Sequence, residues 1–167
     1  MGHLWLQVLS RGKEDARPLL QEGLMRRRLE KYPADYTAHF NLGAVLQAQE
    51  KHTEAITQFQ QALQVQPSSF VARTSLGASL QALGRLTEAA TAYQQAIQLK
   101  SDYANARYNL ANLLLAQNRV DEAIPHLQTI LQTQPNDEGA HNSLGSAYGM
   151  QGNRPKAEEH LQQAVRI

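Results

Sequence analysis

The side chains best suited to hold a metal or move a proton near neutral pH are the six histidines, and their spacing decides whether they do either. His39 and His141 fall on the fourth place of a 34-residue period, and His126 and His160 fall on its twenty-third, so repetition already accounts for them. His52 stands beside an expected turn and His3 near the start of the chain. None has the two-histidine-plus-glutamate spacing of a helical zinc site, so neither a metal nor another cofactor is expected. The absence of cysteine excludes disulfides, a thiol nucleophile and thiolate ligands. Ser75 and Ser143 are repeat positions too, without a base and an orienting acid around them. No strand pattern precedes a glycine-rich phosphate loop. The expectation is a protein that binds rather than one that catalyses.

The elements that position these side chains follow from the repeat. With copies starting at Tyr36, Phe70, Ala104 and Glu138, the seventh place reads Leu42, Leu76, Leu110 and Leu144, and the eighth Gly43, Gly77, Ala111 and Gly145. The eleventh place, Leu46, Leu80, Leu114 and Tyr148, lies one helical turn further on the same face. A second stripe runs through Ala55, Ala89, Ala123 and Ala157, then Phe59, Tyr93, Leu127 and Leu161, then Ala62, Ala96, Ile130 and Ala164. Its i, i+4, i+7 spacing predicts a second amphipathic helix with a small-large-small face.

Between the helices the fifteenth place is Glu50, Gly84, Asn118 and Gly152, and three of these four residues tolerate the left-handed backbone that ends a helix. Thr53, Thr87, Asp121 and Pro155 follow as expected helix starts, with Glu54, Glu88 and Glu122 near the positive end of the helix dipole. Pro67 and Pro135, with Ser101 between them, stop the second helix. Each unit therefore reads helix, turn, helix, stop, and the units are 36–69, 70–103, 104–137 and 138–167.

This order over 34 residues resembles the tetratricopeptide repeat, whose pattern places Leu-Gly, Tyr, Ala, Phe and Pro at these offsets. The resemblance covers Tyr36 to Ile167. It implies an all-α fold, a right-handed solenoid of antiparallel helix pairs. Where the pattern has Trp, this chain has His39, Arg73, Arg107 and His141, so aromatic packing is lost there. Residues 1–35 fit more loosely, with Trp5 and Pro33 in register, and read as a degenerate capping pair: a short helix before Gly12 and a longer one from about Ala16 to Tyr32.

In this family the first helices line a concave groove, and the resemblance implies which positions point into it. They are Thr37, Phe40, Asn41, Ala44, Gln47 and Ala48, then Val71, Thr74, Ser75, Ala78, Gln81 and Ala82. The third unit adds Asn105, Tyr108, Asn109, Asn112, Leu115 and Ala116, and the fourth Gly139, Asn142, Ser143, Ser146, Gly149 and Met150. None is charged. That argues against a clamp for carboxylate-ended peptides, which needs Lys and Arg. Asn41 and Asn109, alternating with Ser75 and Ser143, are similar to the asparagine ladder of the O-linked N-acetylglucosamine transferase repeat arms. An amide both donates and accepts, so such a ladder can read the backbone of an extended peptide. Phe40, Tyr108 and Met150 would add apolar contacts. The alternative reading is that these amides only join neighbouring helices.

The expected partner is a protein or peptide, and the chain reads as a scaffold module. Self-association through the array ends, using Trp5 or Val165 and Ile167, is a second reading, and a targeting arm of an enzyme with its catalytic part elsewhere is a third. A net charge of +1 gives no general pull toward nucleic acid or acidic membranes. Residues 1–34 carry seven Lys or Arg against four acids, and Arg26-Arg27-Arg28 reads as the solvated face of a capping helix. No apolar run approaches the ~20 residues of a membrane helix, so no membrane insertion is expected, and the compartment stays open. The last unit stops at its thirtieth place, which reads as a segment cut from a longer protein.

Overall fold

The computed structural model describes residues 19–166, and every regular element among them is an α-helix. The helices form antiparallel pairs of the α-solenoid type. Residues 19–31 form α1, the described part of the longer capping helix, while the expected helix before Gly12 and the Ala16 start lie outside the described residues. Then come α2 (Tyr36–Ala48), α3 (His52–Val65), α4 (Phe70–Ala82), α5 (Leu86–Leu99), α6 (Ala104–Ala116), α7 (Val120–Thr133), α8 (Glu138–Met150) and α9 (Arg154–Arg166). The chain divides into two compact units, Met1–Leu83 and Gly84–Ile167.

In the N-terminal unit, α2 starts because the Asp35 carboxylate accepts a bond from the Ala38 N–H at 3.0 Å. That bond, and then Arg28 beside it, hold the Asp35 carboxyl below its usual range. Ser69 does the same for α4, accepting from Ala72 N–H at 3.1 Å, and its hydroxyl also meets the Tyr36 hydroxyl at 2.7 Å. The core consists of Leu42, Leu46, Ala55 and Phe59, with Met25, Leu29, Phe40 and Leu76 packed against it. A β-carbon on Gly43 would lie 2.7 Å from the Phe59 ring, so the glycine is what lets α2 and α3 close around that ring. Burying a ring of this kind contributes about 1.5–3 kcal/mol. On the outside, Arg26 pairs with Glu22 and Glu54, and Arg28 with Asp35. Two of the three consecutive arginines are thus tied to acids of their own unit.

The C-terminal unit repeats the scheme around Leu110, Leu113, Leu127 and Leu144, all nearly inaccessible to solvent. Tyr93 on α5 is buried as well, which pushes its hydroxyl up to about 12. The Asp137 carboxylate caps α8 through Ala140 N–H at 2.7 Å, whereas Tyr103, in the same place before α6, offers no side-chain cap. Pro125 sits inside α7 and leaves the Asp121 carbonyl without its usual helical donor.

Two expectations about the turns change. All four fifteenth-place residues are left-handed: Glu50 and Asn118 at φ 60°, Gly84 and Gly152 at 74°. Glu50 is held there although nothing in its own side chain favours it. Further, Thr53, Thr87 and Asp121 do not cap the second helices, which begin one residue earlier, after Lys51, Arg85 and Arg119. The left-handed residue closes the turn through its backbone instead, as His52 N–H reaches Glu50 O at 2.9 Å and Leu86 N–H reaches Gly84 O at 2.9 Å. Arg85 and Arg119, with no acceptor to offer a cap, reach forward as forks to Glu88 at 2.7 Å and Glu122 at 2.8 Å.

Candidate functional site

Within the N-terminal unit the candidate face is carried by α2 and α4. Thr37, Asn41, Ala44 and Ala48 are exposed on α2, while Phe40 and Gln47 are half-buried. Phe40 stacks on Tyr36 with ring centroids 5.9 Å apart and tilts onto Phe59 at 5.8 Å, so it is the rim of the core rather than a free aromatic contact. The Gln47 amide donates to the Ser75 carbonyl at 3.4 Å. On α4, Val71, Ser75, Ala78 and Gln81 are half-buried and Ala82 is exposed. Thr74 is not an open contact: it is buried, and its hydroxyl turns back onto the Phe70 carbonyl at 2.8 Å. A depression on this unit brings Asn41, Ala44 and Val45 together with Gln21 and Met25 of α1. The two α1 residues lie in the stretch that fits the repeat only loosely, so its periodicity does not mark them.

Within the C-terminal unit the face lies on α6 and α8. Asn105 is exposed and donates to the Tyr103 hydroxyl at 3.3 Å. Tyr108 lies across Gly139, where a β-carbon would already stand 3.4 Å from the ring. Asn109, Asn112 and Leu115 are half-buried, and Ala116, Asn142, Ser146, Gly149 and Met150 are exposed. Ser143, like Thr74, is buried rather than open, and its hydroxyl faces the Asn112 side-chain oxygen at 3.5 Å. The structure therefore splits the asparagine-and-serine series. The side-chain amides of Asn41, Asn109 and Asn142 form no hydrogen bond with any described residue, whereas Asn112 and Ser143 face one another. No charged side chain occupies any of these positions.

The polar residues standing where the repeat pattern has Trp perform a task that the sequence reading missed. At each of the four places the side chain donates to a backbone carbonyl six residues earlier, in the turn that follows the preceding helix. His39 reaches Pro33 O at 2.9 Å, Arg73 reaches Pro67 O at 2.8 Å, Arg107 reaches Ser101 O at 2.6 Å, and His141 reaches Pro135 O at 2.9 Å. Three of them also meet the twenty-third-place side chain of their own second helix: His39 with Gln58 at 2.8 Å, Arg107 with His126 at 3.1 Å, and His141 with His160 at 3.0 Å. A carbonyl of the turn between units thus gains a donor, and two helices are pinned to each other. The shared period of the fourth and twenty-third places was the available signal.

Among the described residues no group of three or more His, Asp or Glu side chains could hold a metal, and no helix is long and apolar enough to cross a membrane. Helix pairs with uncharged first-helix faces define a helical-repeat scaffold for protein interactions. Tetratricopeptide-repeat family profiles match residues 34–102, 80–147 and 114–167, and the chain belongs to that family. Among curated proteins no match is found. Among solved structures, YrrB, described as a TPR protein with an unusual peptide-binding site, is 25% identical, with 96% of this chain and 81% of that one covered and a TM-score of 0.75. MamA is 24% identical over 85% and 83% of the two chains, with a TM-score of 0.80. A MamA fragment from Desulfovibrio magneticus RS-1 is 18% identical over 98% and 92%, with a TM-score of 0.82.

Proposed function

We propose that the first-helix faces bind extended segments of partner proteins, Asn41 serving the face of the N-terminal unit and Asn109 and Asn142 that of the C-terminal unit. The observation that carries this reading is the half-buried Asn109 amide, which no described residue satisfies. A carboxamide that no neighbouring side chain takes up and whose polar atoms still reach solvent is open to a ligand that offers both a carbonyl and an N–H, as an extended peptide backbone does. Met150, 49% exposed, and the Tyr108 ring beside Gly139 supply apolar contacts for its side chains. The likeness to YrrB, a peptide-binding repeat protein, supports the same class of ligand. Binding, with no chemistry of the chain's own, is the mechanism.

The test is selection of a displayed peptide library on the parent chain and on an Asn41→Ala, Asn109→Ala, Asn142→Ala variant. Enrichment on the parent that disappears on a variant with an unchanged circular dichroism spectrum supports the reading. Equal enrichment on both, or none on the parent, sinks it. One observation favours a second reading, association of copies through α9, whose Val165 is 87% exposed and Leu161 41%. In that case sedimentation shows an assembly that Val165→Glu abolishes.

A further inference from the structure

The helix ties at the fourth and twenty-third places differ between the two units in how they respond to a proton. In the N-terminal unit His39 stands between Pro33 O and the Gln58 amide. That amide can present either its oxygen or its NH2 to the ring, so the tie survives with His39 neutral or charged. In the C-terminal unit Arg107 has no such freedom, and the His141–His160 pair tolerates one proton but not two. Arg107 only donates, so His126 Nδ1 must accept, and a protonated His126 would turn an N–H toward a guanidinium. His141 uses Nε2–H on Pro135 O, so its Nδ1 must accept from the Nδ1–H of His160. Once both rings are charged, two N–H groups face each other.

We propose that the C-terminal unit carries a proton-sensitive latch, made of the Arg107–His126 and His141–His160 ties, that loosens α7 and α9 on mild acidification while the N-terminal unit stays closed. The groups acting on His126 are Arg107 from α6, itself facing Asp102, and Glu122 one turn earlier on α7. Those acting on His160 are His141 from α8, and Glu159 and Lys156 on α9, with the Tyr148 ring stacked on it at 5.6 Å. Burial first, and then the neighbouring cation or imidazole, hold both His126 and His160 below the usual histidine range. The sign follows from linkage: the unfolded chain binds more protons, so the stabilisation is complete above the unfolded value of 6.5 and is lost as pH falls below it. The inference does not depend on what the first-helix faces bind.

Hydrogen–deuterium exchange of the whole chain at about pH 7.5 and about pH 5, corrected for the intrinsic pH dependence of exchange, tests it. Protection in α7 and α9 falls about fivefold for each lost tie, and protection in α2 and α3 is unchanged. A His126→Gln, His160→Gln variant, which copies the glutamine that α3 already carries in this place, keeps its protection at both pH values. No acid-dependent loss in α7 and α9, an equal loss in α3, or a loss that persists in the double variant overturns the proposal.

Discussion

Gly43 in the N-terminal unit and Gly145 in the C-terminal unit stand at the same place of the repeat, and each lets a large side chain from the second helix approach the first. A β-carbon would meet Phe59 at 2.7 Å in one case and Leu161 at 2.6 Å in the other. What differs is the neighbour's freedom. Phe59 has no exposed surface and packs in a closed core, whereas Leu161 is 41% exposed on α9. The same residue is therefore demanded by an immovable ring in one unit and accommodates a movable side chain in the other.

Substitutions can break that comparison. Phe59→Ala removes the ring from a closed core and lowers stability by about 3–5 kcal/mol, whereas Leu161→Ala costs less than about 2 kcal/mol, both read by denaturant unfolding. Comparable losses would show that α9 is covered in solution. Next comes Gly43→Ala, which overpacks against Phe59 and costs about 1–3 kcal/mol, while Gly145→Ala costs about 1 kcal/mol, because Leu161 swings outward but the Ala157 carbonyl at 3.3 Å does not. If the two alanines cost the same, backbone approach and not the facing side chain sets the requirement. A smaller effect concerns the caps: Asp137→Ala frees the Ala140 N–H and costs about 1 kcal/mol, seen as faster exchange in the first turn of α8. Smallest is Glu50→Gly, which relieves a left-handed non-glycine backbone and stabilises by about 0.5 kcal/mol, against no gain for Gly84→Ala, which is strained.

The two units also show where the candidate site departs from its sequence pattern. Thr74 and Ser143 sit at groove positions, yet both are buried, because a short hydroxyl is satisfied by the nearest acceptor, the Phe70 carbonyl or the Asn112 oxygen. Asn41, Asn109 and Asn142 carry a longer amide whose needs no described residue meets. A periodic reading treats Asn41, Asn109 and Ser143 as equivalent rungs, and Thr74 and Asn142 as equivalent groove positions beside them. It likewise passes over Gln21 and Met25, in the stretch where the pattern is loose, although they share a depression with Asn41 and Ala44.

The amino-acid sequence by itself determined the helix count per unit, the apolar stripes, the small eighth place and the family, because these depend on side-chain periodicity and on local turn chemistry that recur every 34 residues. Only the tertiary structure decided that Glu50 adopts the same left-handed backbone as the glycines, since a turn clamped between two packed helices overrides the preference of one residue. It also decided what replaces Trp at the fourth place. Whether His39, Arg107 and His141 are solvated or tied depends on a carbonyl six residues back and a side chain nineteen residues ahead, and those meet only when the helices fold onto each other.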